Sequence, residues 1–507
     1  MKRFILILVA VVGGLCTSTA QMRTAYFMEG SYFRTDMNAA LPPTRGYLQI
    51  IPVVGGVGVN LGNNYLSVNN FIYKKEDGLY TFLSGKVSSD EFLKKLGNAG
   101  KISANLNTTI LGFGAHTKRL FWSFGINLRS NTEITLSKDM FSILKSLSNG
   151  HYDLGDTHIS NREYLEAALG FAIPIKEFMT FGFRVKGLIG VADLSMKTET
   201  MGIDVGEDAV RAEFLGHIRG NCPLFAPNYT VGAPFSTDGI LQTDYMQALK
   251  NLKSWGLGLD LGFEFRFLDD HLKVSVGVND LGFIRWNGVS TVNADGKASF
   301  SYEGFDLTSS EPKIDGGFEA TMAKPSGTYL SRLSCSLNAG VEYNILNNHI
   351  AFGLLSHSEF CQNFNRTELT ASVNFRIGRW LSTSFSHTFL NGNQPGVLGW
   401  ALNIHPTGFH LFLGADFIDT RFAVYRNIPI PKMMSSANVY VGVGFNLGKA
   451  KYMKSMQKRV KKSKGGQELP QPVEPTAPAT PATPATPAAP AGAPATSVAA
   501  AAVTATL

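Results

Sequence analysis

The chain has 507 residues, 44% of them hydrophobic and 17% charged, with 52 glycines and a net charge of +7. Two of those cations lie in the first three residues, and 449–464 hold eight Lys or Arg with no acid, so the body between is close to neutral. No basic face is spread over a domain, which excludes nucleic-acid binding, and past the N-terminus no run is long and apolar enough for a transmembrane helix.

Lys2 and Arg3, the apolar stretch that starts at Phe4, and Ser18-Thr19-Ala20 read as a secretory signal peptide over 1–20. Cys16 would suit a lipoprotein signal, but Leu15 precedes it where a small residue is needed. Residues 21–64 follow as an N-terminal plug or first-strand segment. Any membrane residence must then come from strands.

The strands are legible over 65–448. Side chains of a strand point alternately to two faces. Between Trp255 and Phe267 one face carries Trp255, Leu257, Leu259, Leu261, Phe263, Phe265 and Phe267, and the other Gly256, Gly258, Asp260, Gly262, Glu264 and Arg266. Trp122 to Arg129, Met179 to Lys186 and Leu272 to Asn279 repeat the pattern, as do later segments from Leu333 onward. Each is roughly nine to thirteen residues, the length a tilted strand needs to cross a bilayer. Counting from the segment at 65–73 gives about fourteen. The expected fold is all-β, a membrane-spanning antiparallel up-and-down barrel with lipid outside and a polar lumen.

Connections alternate in length. Short turns fall near 116–119, 175–178, 268–271, 344–349, 376–379 and 405–408, and long ones at 74–103, 133–161, 199–253, 287–327 and 418–436, with two more of the second kind, near 360–366 and 391–395, nearly as short as turns. Periplasmic turns and extracellular loops segregate in this way, and an even strand count puts the N- and C-termini in the periplasm. Short helices are expected in the loops at 89–97, 137–150 and 237–252, from Ser caps, acids in the first turn and glycine stops. They cap the rim or form a lid over it. In the 137–150 helix Phe141, Leu144 and Leu147 share one side.

With the apolar face toward lipid, the lumen receives Arg129, Arg184, Lys186, Asp260, Glu264, Arg266, Lys273, Arg332, Glu342, Arg376, His410 and Asp416. These form either a salt-bridged interior against a plug or a polar conduction path. An apolar acyl-chain pocket is not visible in the strands, though Ile50, Ile51, Val53, Val54, Phe92, Leu93 and Leu96 could supply one. Asp280 is expected to cap a bend at Asn279-Asp280-Leu281-Gly282 through backbone hydrogen bonds. Ser386 and His387 are neighbours on one strand and face opposite ways, and no Gly-x-Ser-x-Gly motif occurs, so no enzyme activity is expected. Cys222, Cys335 and Cys361 form no disulfide framework, and no spacing suggests a metal or cofactor. The basic segment 449–466 and the Pro/Ala/Thr-rich tail 467–507 read as an extended spacer, either solvated or tethered to anionic lipid or cell-wall polymer.

Two stretches carry a resemblance. Gly258 to Phe265 and then Val276 to Trp286, with Asp260, Asp280, Gly282 and Trp286 inside them, resemble a paired signature of an uncharacterised outer-membrane barrel family of Bacteroidetes. Asn38-Ala-Ala-Leu41-Pro42-Pro43 resembles the Asn-Pro-Ala segment of that family and of FadL and PorV-like barrels, with Ala39 in place of the proline. The resemblance implies fourteen strands and a plug containing Asn38, Leu41, Pro42 and Pro43. Two functions are then open. One is a FadL-like channel or transporter for small or amphipathic molecules, gated by the plug. The other is a non-transporting anchor or accessory subunit of an envelope or secretion complex.

Overall fold

The computed structural model describes residues 23–448, apart from short interior stretches, chiefly 51–56, 224–229, 234–249 and 306–311. The leader, Ile51, Val53, Val54, Leu147, most of the expected third loop helix and the whole tail lie outside the described residues.

Fourteen antiparallel strands close into a barrel. β1 has two pieces, Gly46–Ile50 and Val57–Asn63. β2 spans Ala99–His116, β3 Phe121–Ser137, β4 His158–Lys176 and β5 Met179–Val205. β6 spans Trp255–Phe267 and β7 Leu272–Trp286, and β8 comprises Tyr329–Arg332 and Cys335–Ile345. β9 is Ile350–Phe360, β10 Asn365–Ile377, β11 Leu381–Leu390, β12 Val397–Ile404, β13 His410–Ile418 and β14 Ser436–Leu447. Each strand pairs with the next, and β14 returns to β1 through Gly46 opposite Leu447 and Val57 opposite Val441. Closure leaves the wall without a free edge, as a bilayer requires.

The first strand corrects the sequence reading. The 65–73 segment contains the helix Val68–Phe71, and β1 at 46–63 takes its place, so the count of fourteen survives. The long connections at 199–253 and 287–327 also contain strands. β5 runs past the rim and pairs with Val210–Asn221, which pairs with Thr291–Phe305, which pairs with Pro312–Met322. These segments mix polar and apolar residues because no lipid lies against them. All six short turns lie at one end of the barrel, and two of them run through three consecutive left-handed residues, 268–270 and 346–348.

The apolar belt faces outward. On β9, Phe352 is 49% and Leu354 46% exposed, whereas Leu355, on the inward face, is fully buried. No helix among the described residues is long and apolar enough to cross a membrane. A cation at mid-belt of such a barrel costs about 2–4 kcal/mol. Leu354→Arg is therefore expected to lower stability by about that amount in urea titrations of vesicle-folded protein. A negligible change would remove Leu354 from the lipid.

At the loop end, α2 (Ser89–Leu93) and α3 (Lys138–Lys145) pack together, α1 being the Arg34–Met37 turn described below. Ser88, one residue before the expected cap, accepts from Glu91 N–H at 3.1 Å, and Ser137 caps α3. Phe92, Leu96, Phe141, Tyr73 and Val87 form the cluster between them. Leu144 does not join Phe141 there; it is exposed.

Candidate functional site: the plugged lumen

Residues 23–45 enter the barrel and fill its lumen with a short turn at Arg23–Ala25, the single-turn helix α1 and the extended Asn38–Pro43 segment. Tyr26, Phe27, Met28 and Asn38 are at most 2% exposed. Leu41 and Pro43 are buried and Pro42 half-buried.

The inner face of the wall is cut to fit this segment. A Cβ on Gly182 would overlap the carbonyl carbon of Ala39, and one on Gly262 the side chain of Asn38. On Gly277 it would lie 2.8 Å from Met37 O. Glycine thus lets the plug backbone lie flat against β5, β6 and β7. On the far wall Gly353 accepts the ring of Phe27 and Gly442 that of Phe33. Beside the glycine floor, the plug leaves a polar cleft against β1 to β5, lined by Tyr32, Asp36, Tyr47, Gln49, Ser123 and Arg184.

Polar ties hold the plug to the wall at three places. Asp36 accepts from Arg184 at 2.6 Å. Glu29 pairs with Lys273 and accepts from Asn348, while Arg376 bonds Glu342 and donates to Phe27 O at 2.9 Å. Arg23 meets Glu368 at 2.6 Å, and the backbone N–H groups of Arg23 and Thr24 each donate to Asp416 at 3.0 Å. Burial by itself would push the Glu29 carboxyl up, but the charges of Arg376 and Lys273 overcome it and hold the acid below the ordinary carboxylate range. Met37 O accepts from Asn279 at 2.8 Å and Asn338 at 2.9 Å.

Eleven of the twelve expected lumen residues point inward and are buried. Lys186 is the hub of one network, 2.7 Å from Asp260, 2.6 Å from Asp280 and 3.7 Å from Glu166, which also takes Arg129 at 3.1 Å. Glu264 binds Arg266 at 2.7 Å. His410 bonds Asn403 and sets its ring edge-on to Tyr32. Arg332 is the exception. It is exposed and Leu333 is buried, because the chain breaks its alternation between the two pieces of β8, where Leu333 N–H donates to Gly282 O at 2.9 Å.

Asp280 also departs from expectation. It does form the bend, as a bulge with φ of 61° and a register shift opposite Asp260. Its carboxylate, however, takes Lys186 rather than the backbone, and its own N–H donates to Asp260 at 2.8 Å. The extra residue reverses the parity of β7. Ile284 and Trp286 therefore turn inward, with Leu188, Tyr164 and Leu333, giving an apolar lumen patch that strict alternation hides. Gly282 has no room for a Cβ, which would overlap Leu257 O across the bulge. Among the plug's own charged residues, Arg23, Glu29 and Asp36, which tie it to the wall, carried no signal in the sequence pattern.

A closed antiparallel barrel with an apolar exterior, whose polar lumen is filled by its own N-terminal segment, is a plugged barrel of the outer-membrane type. Residues 39–416 match the model of a family of unknown function, DUF5723, and the chain belongs to that family. No curated protein matches it. Among solved structures it is similar to the P. putida toluene transporter TodX, at 11% identity and TM-score 0.36 over 83% of this chain and 95% of that one. The Ralstonia pickettii toluene transporter TbuX (10%, 0.36, 85% and 94%) and a Pseudomonas aeruginosa FadL homologue (7%, 0.36, 85% and 98%) are similar to it at the same level. The similarity is one of barrel architecture.

Proposed function

We propose that this protein is an outer-membrane transporter for small molecules whose N-terminal segment is a reversible plug. The carrying observation is the character of the plug's seat. Beside the aromatic packing of Phe27 and Phe33, it includes hydrogen bonds and ion pairs to charged wall residues, among them Arg184, Lys273, Glu368 and Asp416. A permanent closure gains more from apolar packing than from buried ion pairs, whose desolvation offsets much of their attraction. Wall charges that rehydrate when the plug leaves lower the cost of opening. In this reading the short turns and both chain termini face the periplasm, and the basic, Pro-rich tail is a tether there.

A second reading, a sealed barrel serving as an envelope anchor or accessory subunit, draws on the completeness of the closure at plug level, where Arg23 and Glu368 are both almost wholly buried. Planar-bilayer recording separates the two. The full-length protein is expected to be nearly silent, and the Glu29→Ala/Asp36→Ala double variant to open frequently. Silence in both, from protein shown to be folded by heat-modifiable gel migration, would overturn transport and leave the anchor.

A further inference from the structure

We propose that the lumen contains a cation subsite, built from Glu133, Glu359, Glu368 and His357, in which the plug's Arg23 stands in for a small ammonium- or guanidinium-bearing solute. This rests on the transport reading and names its solute class.

The carboxylates come from opposite walls. Glu133 is on β3 and accepts from Ser334, beside β8, at 2.9 Å. Glu359 is on β9 and accepts from Asn105 of β2 at 3.3 Å. Glu368, on β10, pairs with Arg366 and with Arg23 Nε at 2.6 Å. All three acids are at most 6% exposed, and Glu359 lies within electrostatic reach of Arg366, Arg23, Glu133 and Glu368. Three buried wall acids thus gather round the guanidinium that the plug brings on Arg23, beside Arg366 of the wall.

His357 gives an independent sign of a missing donor. Asn338 Nδ2 donates to Met37 O, which fixes the orientation of that amide, so its Oδ1 must accept from His357 Nδ1 at 2.7 Å. His357 Nε2 is then a bare acceptor. It is fully buried with no hydrogen-bond partner among the described residues, and the charges of Arg23 and Arg366 both act on its ring. A ring acceptor among carboxylates calls for a ligand rich in N–H donors. The described residues contain no group of ligands suited to a metal ion, which points to an organic cation. Moreover, the plug is anchored here through the backbone N–H groups of Arg23 and Thr24 on Asp416, independently of the guanidinium. The side chain of Arg23 can be removed without removing that anchor.

The test is calorimetric titration of n-butylguanidinium into the detergent-folded full chain, which needs no conduction. Arg23→Met is expected to bind it at least tenfold more tightly than wild type, the resident guanidinium being gone. Adding Glu368→Gln should abolish the gain, and n-butyrate should bind to none of them. Should Arg23→Met fail to fold, Arg23→Lys carries the same comparison with a smaller gain, because its ammonium loses the planar donor set. Equal affinity in wild type and the Arg23 variant would overturn the proposal, as would a gain that survives Glu368→Gln or equal binding of butyrate. Bilayer silence with these results intact would instead count against transport alone.

Discussion

Gly182→Leu is expected to drive the N-terminal segment out of the lumen while the barrel stays closed. The new side chain would start inside the carbonyl of Ala39. Something must move, and the wall has little freedom. Gly182 is held on both sides, opposite Ala172 of β4 and Gly262 of β6, in a closed sheet. The plug is tied by side chains and a few backbone bonds, so it yields first. Overpacking a dense interior costs about 1–3 kcal/mol where the site can adjust; here a leucine meets main chain, so the cost falls at or above that range. Trypsin reports the outcome. Arg34 is buried in the native plug and should be cut rapidly in the variant, with heat-modifiable migration of the barrel retained. Gly187→Leu is the matched control, five residues along β5 on the outward face, where the nearest atom to a Cβ is 3.9 Å away. A protected plug in the Gly182 variant would show that the glycine floor does not set its position.

The strands were legible because lipid and lumen impose opposite demands on alternate residues, and that pattern needs no tertiary information. The inner glycines at 182, 262 and 277 were visible too, yet their reason was not, since what lies on them is a segment distant in sequence. Where one-residue irregularities enter, alternation misleads. The bulge at Asp280 moved Trp286 inside, and the break in β8 moved Arg332 outside and Leu333 inside. The strands beyond the rim were read as loops because nothing apolar is asked of either face there. The segment 21–64 reads equally as plug or first strand, and β1 at 46–63 does not stand out within it because much of that strand is glycine or short polar side chains. For the site, the wall charges could be named one by one, but their partners could not. Asp36 and Arg184 are 148 positions apart, and only the closed fold brings them together.

The Lys186 network is where a single change should cost the barrel most. Lys186→Met keeps the length of the side chain and removes the ammonium that Asp260 and Asp280 share at 2.7 and 2.6 Å. Three acids, Glu166 included, would then face Arg129 and Arg184 alone, and Arg184 lies 3.9 Å from Asp260 and already serves Asp36. Removing one partner of a buried ion pair costs about 3–5 kcal/mol, because the remaining charge is stranded away from water. The expected result is a loss of that size in urea titrations of vesicle-folded protein. Asp280→Asn added to Lys186→Met should restore part of it, with a coupling of about 1–3 kcal/mol. Asparagine tolerates the left-handed backbone that Asp280 adopts, so the rescue is not masked by strain at the bulge. If Lys186→Met were as stable as wild type, water would have to reach the network, and the closed lumen would be excluded at that level. If the loss appeared without rescue, Asp260 or Glu166 would be the acid that the lysine chiefly neutralises.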